Sequence, residues 1–108
     1  MKIILFQGGA PGVTYKIPGE NPEAELADLL DGPVALQTIN DRLALVTREA
    51  GERMGLGKRS RLHRLGREVE SIAGDCAVVV VCGRQGKLRS AEGQDLAAAQ
   101  CYVRPGEV

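Results

Sequence analysis

The sequence predicts an α+β fold: a largely antiparallel sheet of about five to six strands, in the order ββαββ-x-ββα, with helices packed on one face. Three observations lead to this class. Short β-prone segments are separated by glycine-rich turns, residues 76–82 form a continuous apolar run, and two segments begin with helix-capping residues. A chain of 108 residues is expected to form a single α+β domain, 1–108.

The first elements are predicted to be two strands and a helix. Residues 2–7 are apolar at their centre and run into two glycines, which is typical of an inner strand. Residues 13–17 alternate apolar and polar side chains, as a hairpin partner with one solvated face does. Asn21 and Pro22 mark the start of a helix, and Gly32 marks its end.

A second hairpin is predicted by two β-prone runs, residues 34–39 and 42–48. Between them lie Asn40 and Asp41, two residue types that tolerate the left-handed backbone of a tight turn.

Residues 49–70 lose the strand pattern, so they are predicted to be an irregular basic segment. Within it Ser60 is a candidate cap for a short helix, although Gly66 weakens the helical interpretation. Such a helix would direct Leu62, Leu65 and Val69 inward and Arg61, Arg64 and Arg67 outward.

The last part of the chain is predicted to contain a central strand and a final helix. Residues 76–82 are apolar at every position and fit a strand that is covered on both faces. A turn at residues 83–86 leads to a short returning strand at 87–89, and Ser90 is expected to cap a C-terminal helix of about 91–103.

Several chemical functions find no support in the residue pattern. The glycines at residues 8–12 precede an alternating strand rather than a helix, so they fit a hairpin turn and not a phosphate-binding loop. His63 is the only histidine, and Cys76, Cys82 and Cys101 lack the close spacing of a zinc site. We therefore expect no metal, no cofactor and no enzymatic activity.

The expected location is the cytoplasm. The apolar stretch near the start is too short for an export signal, and the longest apolar run, seven residues, is far below the roughly 20 that a membrane helix needs. An odd number of cysteines fits reduced thiols. No membrane partner is expected.

Four short patterns resemble a family of small bacterial and phage proteins described only as a domain of unknown function. These patterns are residues 31–36 at the start of a hairpin, residues 49–51 after it, residues 72–75 before the valine strand, and residues 86–90 before the last helix. The resemblance implies an α+β module carried by mobile genetic elements, without catalytic residues to transfer.

The candidate binding residues are six basic side chains within ten positions: Lys58, Arg59, Arg61, His63, Arg64 and Arg67. They indicate a surface for an anionic partner, although a charged run is equally typical of a solvated face. The charge is uneven along the chain, since residues 1–57 carry a net charge of −3 and residues 58–108 one of +3. If five cations met duplex phosphates, log affinity would fall against log salt with a slope of about −4.5.

These features favour a non-enzymatic macromolecular interaction module of phage or mobile-element type. Its partner is expected to be a protein, and the module would act as a stoichiometric inhibitor of a host defence protein, as anti-CRISPR proteins do. The alternative is a nucleic-acid-binding accessory protein that uses residues 58–67. A homodimer formed through the strand at residues 13–17 is also compatible with the sequence.

Overall fold

The computed structural model describes residues 1–7, 10–49, 58–64, 67–82 and 87–105. The helices in these ranges are α1 (Pro22–Leu29) and α2 (Gly93–Tyr102). The strands are β1 (Lys2–Phe6), β2 (Val13–Lys16), β3 (Val34–Thr38), β4 (Leu43–Arg48), β5 (Lys58–Arg64), β6 (Arg67–Ala73), β7 (Cys76–Cys82), β8 (Lys87–Arg89) and β9 (Val103–Pro105).

Six strands form the main sheet, and every pair in it is antiparallel. Their order is β2-β1-β7-β4-β3, and β8 pairs with the end of β7 that β1 leaves unpaired. The central strand is therefore β7, as its apolar sequence predicts. The α+β class and a largely antiparallel sheet of about six strands are confirmed.

The main sheet is covered on both faces, because β7 is apolar on both. Val78 and Val80 pack in a cluster with Ala99 of α2, whereas Val79 packs in a second cluster with Leu26 of α1. The two helices therefore lie on opposite faces, and the prediction that they share one face is wrong. Helical periodicity identifies the apolar side of each helix but not the face of the sheet that this side will cover.

A second sheet of three strands, in the order β6-β5-β9, packs on the α2 face through Leu62, Ile72 and Val103. Residues 58–64 and 67–70 therefore belong to strands, and the irregular segment and short helix predicted for them are wrong. Ser60 lies inside β5 with only 1% of its surface exposed, so it caps no helix. Residues 50–57 and 65–66, residues 8–9 of the turn predicted at 8–12, and the turn predicted at 83–86 lie outside the described residues. The order ββαββ-x-ββα is not confirmed, since x contains a hairpin and β9 follows α2.

The caps of the two helices show where local prediction succeeds and where it fails. Asn21 caps α1 as predicted, because its Oδ1 accepts a hydrogen bond from the backbone N of Ala24 at 3.4 Å. The predicted cap of α2, Ser90, instead accepts a 2.9 Å bond from the backbone N of Lys2. Glu92 is the N-cap of α2, and its backbone N donates to Asp95 in a capping box.

Candidate interaction surfaces

The predicted basic site is divided by the strand geometry of the β5–β6 hairpin. Five of its residues, Lys58, Arg59, Arg61, His63 and Arg64, lie on β5, and Arg67 begins β6. The side chains of Lys58 and Arg59 are outside the described part of the structure. Leu62 is fully buried, so Arg61 and His63, its neighbours on β5, face outward.

Arg64 is held by the backbone of the main sheet. Its guanidinium donates from Nη2 to the carbonyl of Thr38 at 2.6 Å and from Nη1 to the carbonyl of Ile39 at 3.1 Å. These bonds connect the β5–β6 hairpin to the end of β3. Arg64 is thus committed to a structural contact, and the structure separates it from the outward-facing cations.

The outer face of the second sheet carries what we call the arginine face: Arg61, His63, Glu68 and Arg104. Arg61 lies directly opposite Arg104 in the β5–β9 pair. Two like charges at opposite positions of antiparallel strands repel each other. Arg61 is partly compensated by Glu68, since its Nε lies 3.0 Å from Oε1 and both side chains are about two-fifths exposed.

His63 adds a polar group to the arginine face. It lies opposite Glu68, next to a register shift between Leu62 and His63. Its Nδ1 atom is buried and has no hydrogen-bond partner among the described residues. Buried polar atoms are ordinarily hydrogen-bonded, so an unpartnered Nδ1 is unusual, but because this atom has no exposed surface it offers no contact to a molecule that approaches the face.

Among the strands that the structure describes, none pairs with the outer side of β3, which therefore forms an open edge of the main sheet. The backbone N of Glu49 donates to the carbonyl of Pro33, and that of Ile39 to the carbonyl of Leu43, which sets the alternation of the ladder. By this alternation, the backbone groups of Val34 and Leu36 point away from β4. Arg64 occupies the outward carbonyl of Thr38, so the available edge extends over Val34 and Leu36.

An acidic cleft of about 300 Å³ adjoins this edge, between β6 and the β3–β4 hairpin. It is lined by Ala35, Thr47, Arg48, Glu49, Glu70, Ser71, Ile72 and Ala73. Arg48 is engaged, since its Nη2 donates to the carbonyl of Asp31 and lies 3.5 Å from the Asp31 carboxylate. No ion-pair partner is found for Glu49 or Glu70 among the described residues. Neither glutamate can be recognised as a site residue from the sequence alone, because no local pattern marks β3 as an edge strand.

An ion pair between a half-exposed arginine and a buried carboxylate joins the β3–β4 turn to α2. Arg42 donates to the Asp95 carboxylate from Nε at 2.7 Å and from Nη2 at 3.1 Å. The Asp95 side chain is only 3% exposed, and its hydrogen bond with Arg42 lowers the pKa of the carboxyl. Aspartate is seldom buried without a partner, and Arg42 provides that partner here.

The three thiols lie in different environments. Cys76 is fully buried in β7, and burial raises its pKa to about 12. Cys82 and Cys101 are exposed. Among the described residues, no three His, Cys, Asp or Glu side chains are grouped closely enough to hold a metal ion.

Comparison of the chain with protein-family models, curated proteins and solved structures finds no match. The resemblance to a mobile-element family therefore stays a prediction. Neither described helix has the length and apolar character required to cross a membrane.

Proposed function

We propose that this chain is a non-enzymatic binding module that takes up an extended segment of a protein partner along the outer edge of β3. In this mode of recognition the segment adds a strand to a sheet, so that main-chain hydrogen bonds supply affinity and alternate side chains supply specificity. The outward backbone groups of Val34 and Leu36, beside an acidic cleft, are the observation that carries the proposal.

The chemistry on the two sides of the edge defines the partner. On one side Glu49 and Glu70 line the cleft and attract a lysine or arginine. On the other side Leu36, which is 43% exposed, offers apolar contact. Successive side chains of an added strand point to opposite faces. The preferred segment therefore alternates basic and apolar residues.

Selection from a display library of random peptides tests this function. The wild-type chain is expected to enrich peptides in which Lys or Arg occupies every second position. Glu49→Gln combined with Glu70→Gln should remove this charge preference. Leu36→Pro should weaken binding of the selected peptides about tenfold or more, because proline removes an outward N–H that β4 does not use.

Leu36→Val is the matched control, since valine keeps the N–H and the apolar side chain, and it should bind the same peptides. Equal binding by Leu36→Pro and Leu36→Val would show that β3 is not the docking edge. Enrichment of acidic peptides would contradict the role given to the cleft. Stoichiometric inhibition of a host defence protein stays a prediction, to be tested once a partner segment is known.

Nucleic-acid binding is a second candidate function, and the opposed pair Arg61–Arg104 favours it. Duplex phosphates would relieve the repulsion between the two arginines, and His63 lies on the same face. The patch is smaller than the sequence suggests, because Arg64 is bound to backbone carbonyls.

The salt dependence of duplex DNA binding tests this candidate. Phosphate contacts from Arg61 and Arg104 would give a slope of about −2, and replacing both with alanine would bring it close to zero. Lys87→Ala, an exposed change on β8, should leave the slope within experimental error. A wild-type slope near zero, or a slope that the double variant does not alter, would exclude the arginine face as a phosphate site.

A further inference from the structure

At the opposite edge of the main sheet, β2 pairs only with β1 among the described strands, so its outer side is also open. Met1 and Ile17 exchange two hydrogen bonds of 2.7 and 2.8 Å, which sets the alternation along β1 and β2. Tyr15 and Val13 therefore bond to β1, and the backbone N–H and C=O groups of Thr14 and Lys16 point outward. All four residues of β2 are exposed.

The positions of these outward groups restrict how a second copy of β2 can pair with the first about a two-fold axis. In an antiparallel ladder, both residues of a bonded pair must direct their backbone groups at each other. Pairing Thr14 with Lys16 of the second copy meets this condition at two symmetric places. A register with Lys16 opposite Lys16 of the second copy would bring like charges together. It would also place Thr14 opposite Pro18 of the second copy, which has no N–H to donate. A register with Thr14 opposite Thr14 of the second copy would pair Lys16 with Gly12 of the second copy. The carbonyl of Gly12 is already engaged, since it accepts a 2.9 Å hydrogen bond from the side chain of Gln100.

The register with Thr14 opposite Lys16 of the second copy is therefore favoured, and it also brings together the exposed apolar side chains of β2. It places Tyr15 opposite Tyr15 of the second copy, and Val13 opposite Ile17. Tyr15 is 42% exposed and Val13 is 55% exposed, so each has surface to bury. Both lie on the α1 face of the sheet, because Ile17, which shares their side of the strand, packs against Leu26.

A groove of about 250 Å³ between β2 and α1 suits a tyrosine side chain from the added strand. Ile17, Pro18 and Leu29 provide apolar contact, and the carboxylates of Glu25 and Asp28 provide acceptors for a phenol hydroxyl. Side chains opposite Tyr15 and Ile17 would lie next to this groove. In the favoured register these are Tyr15 and Val13 of the second copy.

We propose that two copies of this chain associate through β2, with Thr14 paired to Lys16 of the other copy and Tyr15 packed against the groove beside α1. The pairing extends the main sheet across the two-fold axis. A four-residue strand buries less surface than a standard stable interface, so the dimer is expected to form and dissociate readily. The β3 edge lies at the other side of the sheet and remains open in the dimer.

Sedimentation velocity and amide hydrogen exchange on the full chain test the dimer. The sedimentation coefficient should rise between micromolar and millimolar concentration. Over the same range the amides of Thr14 and Lys16 should become protected, while those of Val13 and Tyr15 are protected throughout. Thr14→Pro should raise the dimer dissociation constant about tenfold or more, because it removes an outward N–H. Thr14→Ala keeps that N–H and should change the constant about twofold at most.

A sedimentation coefficient that stays monomeric up to millimolar concentration would overturn the proposal. So would a dimer in which the Thr14 and Lys16 amides exchange as fast as in the monomer, because its interface would then lie elsewhere. The exchange measurement uses the wild-type chain, so the test does not depend on whether Thr14→Pro folds. Leu36→Pro should leave dimerisation unchanged, which separates this proposal from peptide binding at β3.

Discussion

Replacing Leu62 with alanine is expected to lower the free energy of unfolding by about 2–5 kcal/mol, whereas Val69→Ala should change it by no more than about 0.5 kcal/mol. Leu62 is fully buried in the cluster that joins the second sheet to the main sheet. Its truncation leaves a cavity at that junction. Val69 is 54% exposed on β6, so shortening it leaves little unfilled space.

The two truncations also distinguish the observed hairpin from the short helix for which Ser60 is the candidate cap. On a helix, positions 62 and 69 are two turns apart and share a face, so the two truncations should cost similar amounts. On antiparallel strands their environments are independent. Urea denaturation monitored by circular dichroism supplies both free energies. Equal losses for the two variants would contradict the strand assignment.

Asp95→Ala is expected to lower the free energy of unfolding by about 2–3 kcal/mol. The carboxylate accepts two bonds from Arg42 and a 2.8 Å bond from the backbone N of Glu92. Its removal therefore takes away both the Asp95 half of the capping box of α2 and the link to the β3–β4 turn. The expected loss is moderate for a buried ion pair, because Arg42 is 45% exposed and can be hydrated when its partner is gone.

A double-mutant cycle isolates the contribution of the pair. The coupling free energy between Arg42→Ala and Asp95→Ala should be about 1–2 kcal/mol, and the loss in Asp95→Ala should exceed it because the capping-box bond from the Glu92 backbone N is lost as well. Asp28→Ala, which removes an exposed acid from α1, should change stability by about 0.5 kcal/mol or less. A coupling indistinguishable from zero would mean that the pair does not stabilise the fold.

The same pair gives a pH dependence of defined sign. Arg42 lowers the pKa of Asp95 in the folded state, below the unfolded value of about 3.9. The stabilisation is therefore complete above that unfolded pKa and is lost as the pH falls through the lower, folded pKa. The stability difference between wild type and Asp95→Ala should shrink in this acidic window. A difference that stays constant down to the most acidic pH would contradict the lowered pKa.

The elements that could be predicted from the sequence are those that depend on neighbouring residues. The start of α1 follows from Asn21 and Pro22, whose capping chemistry acts within one helical turn. Ser90 has the same potential as a cap, but its hydroxyl bonds to Lys2, which is 88 residues away. Competition from a distant donor is invisible in a local pattern.

The candidate site could be predicted only as a set of charges. The basic residues of the β5–β6 hairpin are obvious in the sequence, but whether each is available depends on what surrounds it. Arg64 is engaged because the carbonyls of Thr38 and Ile39 lie within its reach. The opposition of Arg61 and Arg104 follows from the pairing of β9 with β5, which no local pattern predicts.

The sequence by itself determined the α+β class, the position of α1 and the central strand β7, because capping and apolar runs act over short distances along the chain. Only the tertiary structure decided which face of the sheet each helix covers, which strands form open edges and which charges are paired. The physical reason is that these properties depend on contacts between distant segments, such as Arg42 and Asp95, which are 53 residues apart.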